Sequence, residues 1–193
     1  MVKGTMDFIG LNYYASAFIY GDRLEPGFCA PVGGSEWLGN YNRAGKVIGP
    51  TAASPWLTIY PRGIYNIISY ADRRYSPAFG PPGGPDSPRA PIVVLENGVD
   101  VPGEDKMTLK QAVNDTFRIN YFEEHLNYVC RAASEGVKVT GYMAWSFLDN
   151  FEWADGYKYR FGVVHVDYKS PKLTRTAKDS ARFMSQNFFK YGL

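Results

Sequence analysis

Three short runs of apolar residues predict β-strands with both faces buried. They cover residues 7–13, 92–96 and 139–147, and each is rich in β-branched or aromatic side chains. None shows the strict alternation of polar and apolar positions that is typical of a half-exposed strand. Such runs are typical of parallel sheets that are covered on both faces.

Helical periodicity fills the segments between these strands. Residues 62–75 repeat apolar side chains at helical spacing. Thr108 and Gln111 have the spacing of a capping box, which predicts the start of a long helix that ends at Gly136. A last helix is predicted over residues 176–190. The alternation of strand and helix predicts an α/β fold with parallel strands and right-handed helical crossovers.

Two long segments interrupt this order. Residues 15–61 are rich in Gly and aromatic residues and show no sustained period. Residues 76–91 hold six Pro and three Gly, a composition that predicts a mobile surface loop. Because no linker separates two periodic regions, residues 1–193 are predicted to form one structural unit.

Composition and charge exclude several classes of partner. The chain carries 21 Lys and Arg against 19 Asp and Glu, interspersed, so no basic stripe is available for nucleic acid. The longest strongly apolar, charge-free stretch, residues 139–148, is about half of a bilayer span, so no transmembrane segment is expected. Cys29 and Cys130 lie far apart and only two His are present, so we expect neither a metal site nor a cofactor.

Polar and aromatic side chains gather where each predicted strand ends. Tyr14 follows the first strand, Glu96 closes the second, and residues 145–153 follow the third with two Trp, an Asn and two carboxylates. In parallel α/β folds these ends meet at one edge, where ligands bind. Indoles pack on the apolar face of a pyranose, and carboxylates bind its hydroxyl groups. The pattern indicates a saccharide site, although Glu96 taken alone is weak evidence, since a Glu at the end of a strand is more often a capping or salt-bridged residue.

Four sequence motifs resemble those of one enzyme family. The run Val94-Leu95-Glu96-Asn97-Gly98 resembles the nucleophile motif of glycoside hydrolase family 1, the β-glucosidases and their myrosinase relatives. Residues 145–153, with the Gly, Tyr, Arg and Phe that follow, resemble its sugar-binding signature. Residues 7–14 and 55–61 resemble its sixth-strand and aglycone-site segments. The four motifs occur in the family's order and cover nearly the whole chain.

The resemblance implies a fold and a chemistry. It implies a partial (β/α)₈ TIM barrel, formed by the C-terminal three βα units, in an enzyme that hydrolyses β-glycosides with retention. Glu96 corresponds to the family's nucleophile, and Tyr14 to the tyrosine that orients it. As an ordinary strand-end aromatic, Tyr14 would have no such role.

The resemblance also implies which residues contact the substrate. The residues that match the sugar and aglycone contacts are Trp145, Glu152, Trp153, Phe161 and Trp56. Of these, Trp145 corresponds to the indole under the glycone ring, and Trp56 to the residue on which the aglycone stacks. Structural alternatives stay open, because Trp145 and Phe161 could be core residues, Trp56 a loop anchor and Glu152 a solvated carboxylate.

Two departures from the family pattern shape the functional hypotheses. Leu95 replaces the usual Thr beside the nucleophile, and the Thr-Phe-Asn-Glu-Pro type motif that carries the acid/base is absent. We therefore expect the chain to be inactive alone and to bind a β-glycoside only when another chain, or the rest of the barrel, covers its open edges. The alternatives are a degenerate, structural subunit of a larger complex and a weak sugar-binding module.

One further motif is an N-glycosylation sequon at Asn114, Asp115 and Thr116. It falls inside the predicted long helix. Because no apolar leader is visible at the N-terminus, the sequon supports no prediction of the compartment.

Overall fold

The computed structural model describes residues 6–20, 36–76 and 89–189. In chain order its strands and helices are β1 (Ile9–Asn12), β2 (Phe18–Tyr20), β3 (Glu36–Gly39), α1 (Pro61–Tyr75), β4 (Ile92–Asn97), α2 (Leu109–Val113), α3 (Thr116–Ser134), β5 (Val139–Ala144), β6 (Val164–Val166), β7 (Arg175–Ala177) and α4 (Asp179–Met184). Short 3₁₀ turns cover Glu104–Lys106 and Trp153–Asp155, and a π-helical turn, Ser185–Phe189, continues α4.

A parallel three-stranded sheet organises the fold, in the order β1-β4-β5. This confirms the predicted parallel strands. The register shifts between Leu11 and Asn12 and again between Val94 and Asn97, at the ends of β1 and β4. Such irregularities re-aim side chains, and here they lie beside Glu96.

Helices α1 and α3 cover one face of this sheet. The core that they form with β4 consists of buried apolar side chains: Ile64, Ile68, Ala71, Ile92, Val94, Val129 and Ala132. On the opposite face Leu95 is 37% exposed and Met143 is 54% exposed. The prediction that the strands are buried on both faces is therefore wrong for the described residues, because side chains on this face are exposed.

The long helix predicted from Thr108 to Gly136 is two helices. The capping box of Thr108 and Gln111 is present at the start of α2, and Gly136 follows α3 with φ +91. Between them Asp115 leaves helical geometry, with φ −92 and ψ 55. Its carboxylate binds the backbone N–H and the hydroxyl of Ser180, at 2.8 and 2.6 Å. These two hydrogen bonds to a distant segment hold Asp115 outside helical geometry, so the predicted helix is interrupted here. Cys130 of α3 is exposed.

The last helix begins later than predicted. Residues 175–177 form β7, which pairs antiparallel with β6, and α4 starts only at Asp179. Ala177, which falls within the predicted last helix, is exposed in this strand. The helix starts here because Lys178, in extended conformation, donates its N–H to the Val163 carbonyl.

The two interruptions also contain some regular structure. Strands β2 and β3 pair antiparallel within the segment predicted to lack periodicity. Most of the predicted Pro/Gly-rich loop, residues 77–88, lies outside the described residues. Within the described ranges, no helix has the length and apolar character needed to cross a membrane.

Candidate active site

Glu96 and Tyr14 meet at the carboxyl ends of β1 and β4. The backbone N–H of Tyr13 donates to the Glu96 carbonyl at 2.9 Å, which joins the two strand ends. The Tyr14 hydroxyl then donates to Oε2 of Glu96 at 2.6 Å. Burial, together with the neighbouring Glu96, raises the pKa of Tyr14. The phenol therefore stays protonated and keeps donating to the carboxylate at neutral pH.

A buried polar cluster behind Glu96 holds the strand ends in place. Asn97 is fully buried, and its amide nitrogen donates to the Tyr13 carbonyl at 2.7 Å and to the Tyr121 hydroxyl at 2.8 Å. The Tyr142 hydroxyl donates to the amide oxygen. Tyr121 stacks on the buried ring of His125, with centroids 3.8 Å apart. The sequence placed Asn97 in the motif around Glu96, but it did not identify the rings of Tyr121, Tyr142 and His125 as its partners or neighbours.

The segment after β5 presents Glu152 through local hydrogen bonds. The Ser146 hydroxyl lies 2.9 Å from the side-chain oxygen of Asn150, and the Asn150 amide nitrogen donates to Oε2 of Glu152 at 3.2 Å. Burial raises the pKa of Glu152, and the side chains of Asn150 and Trp145 oppose the rise. Because Glu152 also contributes to the raised pKa of Tyr14, the two side chains share one electrostatic environment.

Aromatic side chains surround Tyr14. Its ring meets Trp56 edge-on with centroids 5.9 Å apart, and Phe161 edge-on at 6.2 Å. Trp56 is 46% exposed, whereas Phe161 is 1% exposed. Phe161 lies in a second cluster of buried apolar side chains, which includes Val99 and Phe122. Trp153 is 84% exposed. The structure thus brings Tyr14, Glu96, Trp56 and Phe161 together, whereas Trp153 is largely exposed to solvent.

The comparison with known families identifies the fold to which this site belongs. The family model described as glycosyl hydrolase family 1 matches residues 1–191. The chain belongs to glycosyl hydrolase family 1. Its fold is a partial (β/α)₈ barrel, formed by the C-terminal three βα units.

Relatives within family 1 are similar over nearly the whole of this chain. Beta-glucosidase 24 of Oryza sativa subsp. japonica is 41% identical over 189 residues, which are 97% of this chain and 34% of the relative. Raucaffricine-O-beta-D-glucosidase of Rauvolfia serpentina is 37% identical over an alignment of 198 residues, which covers 98% of this chain and 33% of the relative. The chain therefore spans about a third of the length of the curated relatives that it matches.

Solved structures of family 1 agree with this architecture. A β-glucosidase from the fungus Humicola insolens, in complex with glucose, superimposes with a TM-score of 0.84 at 37% identity, covering 98% of this chain and 37% of that one. A mutant rice β-glucosidase in a covalent complex with Glc gives a TM-score of 0.79 at 34% identity, covering 94% of this chain and 36% of the rice enzyme.

A buried network of ion pairs connects the loops that follow β4 and β5. Arg118 pairs with Asp115 and, at 2.8 Å, with Glu104. Lys178, fully buried, pairs with the same Glu104 and with Asp149 at 3.0 Å. Glu104 belongs to the loop after β4, and Asp149 to the loop after β5. The network therefore ties the loop that follows Glu96 to the loop that leads to Glu152.

Asp149 is the best-satisfied carboxylate of this network. It accepts hydrogen bonds from Arg160 at 2.7 Å and from the backbone N–H groups of Gly162 and Val166, at 3.1 and 3.2 Å. Burial would raise the pKa of Asp149, but the charge of Lys178 and the hydrogen bond of Arg160 more than offset this, so the pKa lies below its usual value. No spacing pattern in the sequence identified Lys178, because its partners Glu104 and Asp149 lie 74 and 29 positions away.

The described part of the chain offers no metal site. Within it, no group of three or more His, Cys, Asp or Glu side chains is arranged to hold a metal ion.

Proposed function

We propose that this chain supplies the nucleophile half of a retaining β-glycosidase, with Glu96 as the nucleophile. The observation that carries the proposal is the hydrogen bond of 2.6 Å from Tyr14 to Oε2 of Glu96. It holds the carboxylate in one orientation at the sheet edge where ligands bind in barrels of this kind. A nucleophile that must reach one carbon atom of a sugar gains from such orientation.

The free oxygen of Glu96 is the attacking atom in this proposal. Within the described residues, Oε1 accepts no hydrogen bond, so its lone pairs are available. Attack on the anomeric carbon forms a glycosyl–enzyme ester as the bond to the aglycone oxygen breaks, and that oxygen takes a proton from a general acid. Water then cleaves the ester with retention of configuration. The covalent complex of the rice relative with Glc supports this route.

Sugar binding is assigned to the segment after β5. Glu152 would accept hydrogen bonds from sugar hydroxyls, while Trp145 would pack on the apolar face of the ring. Trp153 would bind outer hydroxyls, and Phe161 would support the pocket through its contact with Tyr14. Trp56, whose ring is partly exposed, would stack on the aglycone.

A second polypeptide segment is required to complete the site. The acid/base motif of the family is absent from the 193 residues, and loss of general acid catalysis costs about 10²–10⁴-fold in rate. The uncovered sheet face with Leu95 and Met143 supports a partner segment that packs there. We propose that this segment, in the same polypeptide or in another, supplies the acid and covers the open edges of β1 and β5.

Covalent trapping tests the proposal. The chain would be co-expressed with the complementary two thirds of a family 1 relative, purified as a complex and treated with a 2-deoxy-2-fluoroglucoside. We expect a mass adduct on the peptide that contains Glu96, absent in Glu96→Gln and present in the exposed control Glu135→Gln. A folded complex that binds glucose in calorimetry but forms no adduct would instead make the chain a binding module. A folded complex that does neither would make it a structural subunit.

A further inference from the structure

The break between α2 and α3 exposes the Asn-X-Thr motif formed by Asn114, Asp115 and Thr116. Asn114 lies outside both helices, with φ −88 and ψ 67, and its side chain is exposed. Thr116, the first residue of α3, is also exposed. Its hydroxyl donates to the side-chain oxygen of Asn114 at 3.2 Å. The motif is therefore accessible, contrary to its predicted position within a continuous helix.

We propose that Asn114 is an acceptor site for N-linked glycosylation. The chemistry needs the amide nitrogen of the asparagine and the hydroxyl of the residue two positions later. Within the described residues, Nδ2 of Asn114 donates to no acceptor, while Oδ1 holds the bond to Thr116. Glycosylation replaces one hydrogen on Nδ2 and leaves Oδ1 as it was. The modified side chain can therefore keep its contact in the folded protein.

The donor is a lipid-pyrophosphate-linked oligosaccharide, and an oligosaccharyltransferase catalyses the transfer. A bond forms between Nδ2 of Asn114 and C1 of the first sugar. The bond between C1 and the pyrophosphate oxygen breaks, and its electron pair leaves with the lipid pyrophosphate. The proton lost from Nδ2 passes to solvent by way of the transferase. No oxidant or reductant takes part.

Asp115, the middle residue of the motif, is buried, whereas Asn114 and Thr116 are exposed. The Asp115 carboxylate is buried and is bound by Arg118 and Ser180. A buried anchor between two exposed residues fixes the motif at the surface. Folding can thus complete the ion network around Asp115 while a glycan on Asn114 extends into solvent.

A glycan on Asn114 is also compatible with completion of the barrel. Helix α3, which begins beside Asn114, packs against α1 and α4. It belongs to the crossover between β4 and β5, whereas the open edges of the sheet are those of β1 and β5. A segment that pairs with either open edge does not need the surface around Asn114. The glycan and the proposed glycosidase site are therefore independent features.

The test uses the full chain, secreted from eukaryotic cells behind a cleavable signal sequence. Asn114 begins the single Asn-X-Ser/Thr motif in the 193 residues, so any N-linked glycan reports on this position. Peptide mass spectrometry after enzymatic glycan release in isotope-labelled water shows which Asn was converted to Asp. Total cell lysate is analysed together with the secreted fraction, so that variants retained in the cell are still scored.

We expect most wild-type chains to carry the glycan on Asn114. Asn114→Gln and Thr116→Ala should lose it completely, whereas the matched control Thr116→Ser, which keeps the hydroxyl, should retain it. An unmodified Asn114 peptide in the wild-type chain would overturn the proposal. So would a glycan that persists in Thr116→Ala, because the hydroxyl would then have no role.

Discussion

The main-chain oxygen of Trp145 occupies the place where any side chain at position 98 would begin. A Cβ atom built on Gly98 would lie 1.7 Å from this oxygen and 2.7 Å from its carbonyl carbon. Gly98 is two residues from Glu96, and Trp145 leads the segment that presents Glu152. The absence of a side chain at position 98 therefore sets how closely the two halves of the candidate site approach each other.

Gly98→Ala should destabilise the chain, because two backbones must separate to accommodate a methyl group. We expect about 1–3 kcal/mol lower free energy of unfolding, the usual cost of overpacking, measured by urea denaturation. Gly141→Ala is the matched control, since its Cβ would meet a Val93 side-chain methyl at 3.1 Å rather than main chain. Equal losses in the two variants would contradict the role of the close approach.

Tyr14→Phe should slow trapping of Glu96 in the completed barrel. The variant removes one hydrogen bond to a charged group, worth about 1.5–3 kcal/mol, and so about 10- to 100-fold in rate. The readout is the rate constant for inactivation by the 2-deoxy-2-fluoroglucoside. Tyr41→Phe, which removes the hydroxyl of an exposed tyrosine, should react like wild type. An unchanged rate for Tyr14→Phe would remove Tyr14 from the orienting role.

Lys178→Met should destabilise the fold strongly. The lysine is fully buried between Glu104 and Asp149, and its removal leaves both carboxylates with less compensating charge. Breaking a buried pair in this way costs about 3–5 kcal/mol in free energy of unfolding. The exposed Lys172→Met serves as control and should change stability by about 0.5 kcal/mol or less. Similar denaturation midpoints for the two variants would mean that the network contributes no stability.

Asn150→Ala should raise the pKa of Glu152 further. The variant removes a hydrogen bond that favours the ionised carboxylate, while the burial that disfavours it remains. Carbon-13 NMR titration of the Glu152 carboxyl group measures this directly in the chain and does not depend on activity. Asn120→Ala, an exposed position on α3, controls for the loss of an amide. A Glu152 pKa that stays constant or falls would show that Asn150 does not hold the carboxylate.

His125 should make the protein less stable in mild acid. Burial lowers its pKa from 6.5 to about 4. Between these two values the unfolded chain binds a proton that the folded chain does not. The free energy of unfolding therefore falls as the pH drops from 6.5 towards 4, by at most about 3 kcal/mol.

His125→Phe should remove this component. Urea denaturation at several pH values would compare the two proteins, both of which retain His165. We expect a shallower loss of stability below pH 6.5 in the variant. If the free energy of unfolding fell equally with pH in both proteins, protonation of His125 would not destabilise the folded state.

Local signals explain why several elements were predictable. The apolar runs of β1, β4 and β5 predicted strands, and the capping box of Thr108 and Gln111 predicted the start of α2. Gly136 ends α3 in the left-handed region that glycine adopts readily. Each of these signals acts over a few neighbouring residues, so periodicity and turn chemistry were enough.

The corrected elements depend on partners far along the chain. Asp115 interrupts the predicted helix because its carboxylate binds Ser180, 65 positions away. β7 forms because residues 164–166 lie alongside it, and the helical signal of its residues is overridden. No local pattern contains such information.

The sequence by itself determined the kinds of chemistry available, since motif order and residue type singled out Glu96, Tyr14 and the segment after the third strand. Only the tertiary structure decided their geometry, by joining Tyr14 to a carboxylate 82 positions away and by burying Lys178 between two loops. It also decided that Asn114 is exposed between two helices. The physical reason is that hydrogen bonds and ion pairs act over a few ångströms in space, whereas the sequence records only distance along the chain.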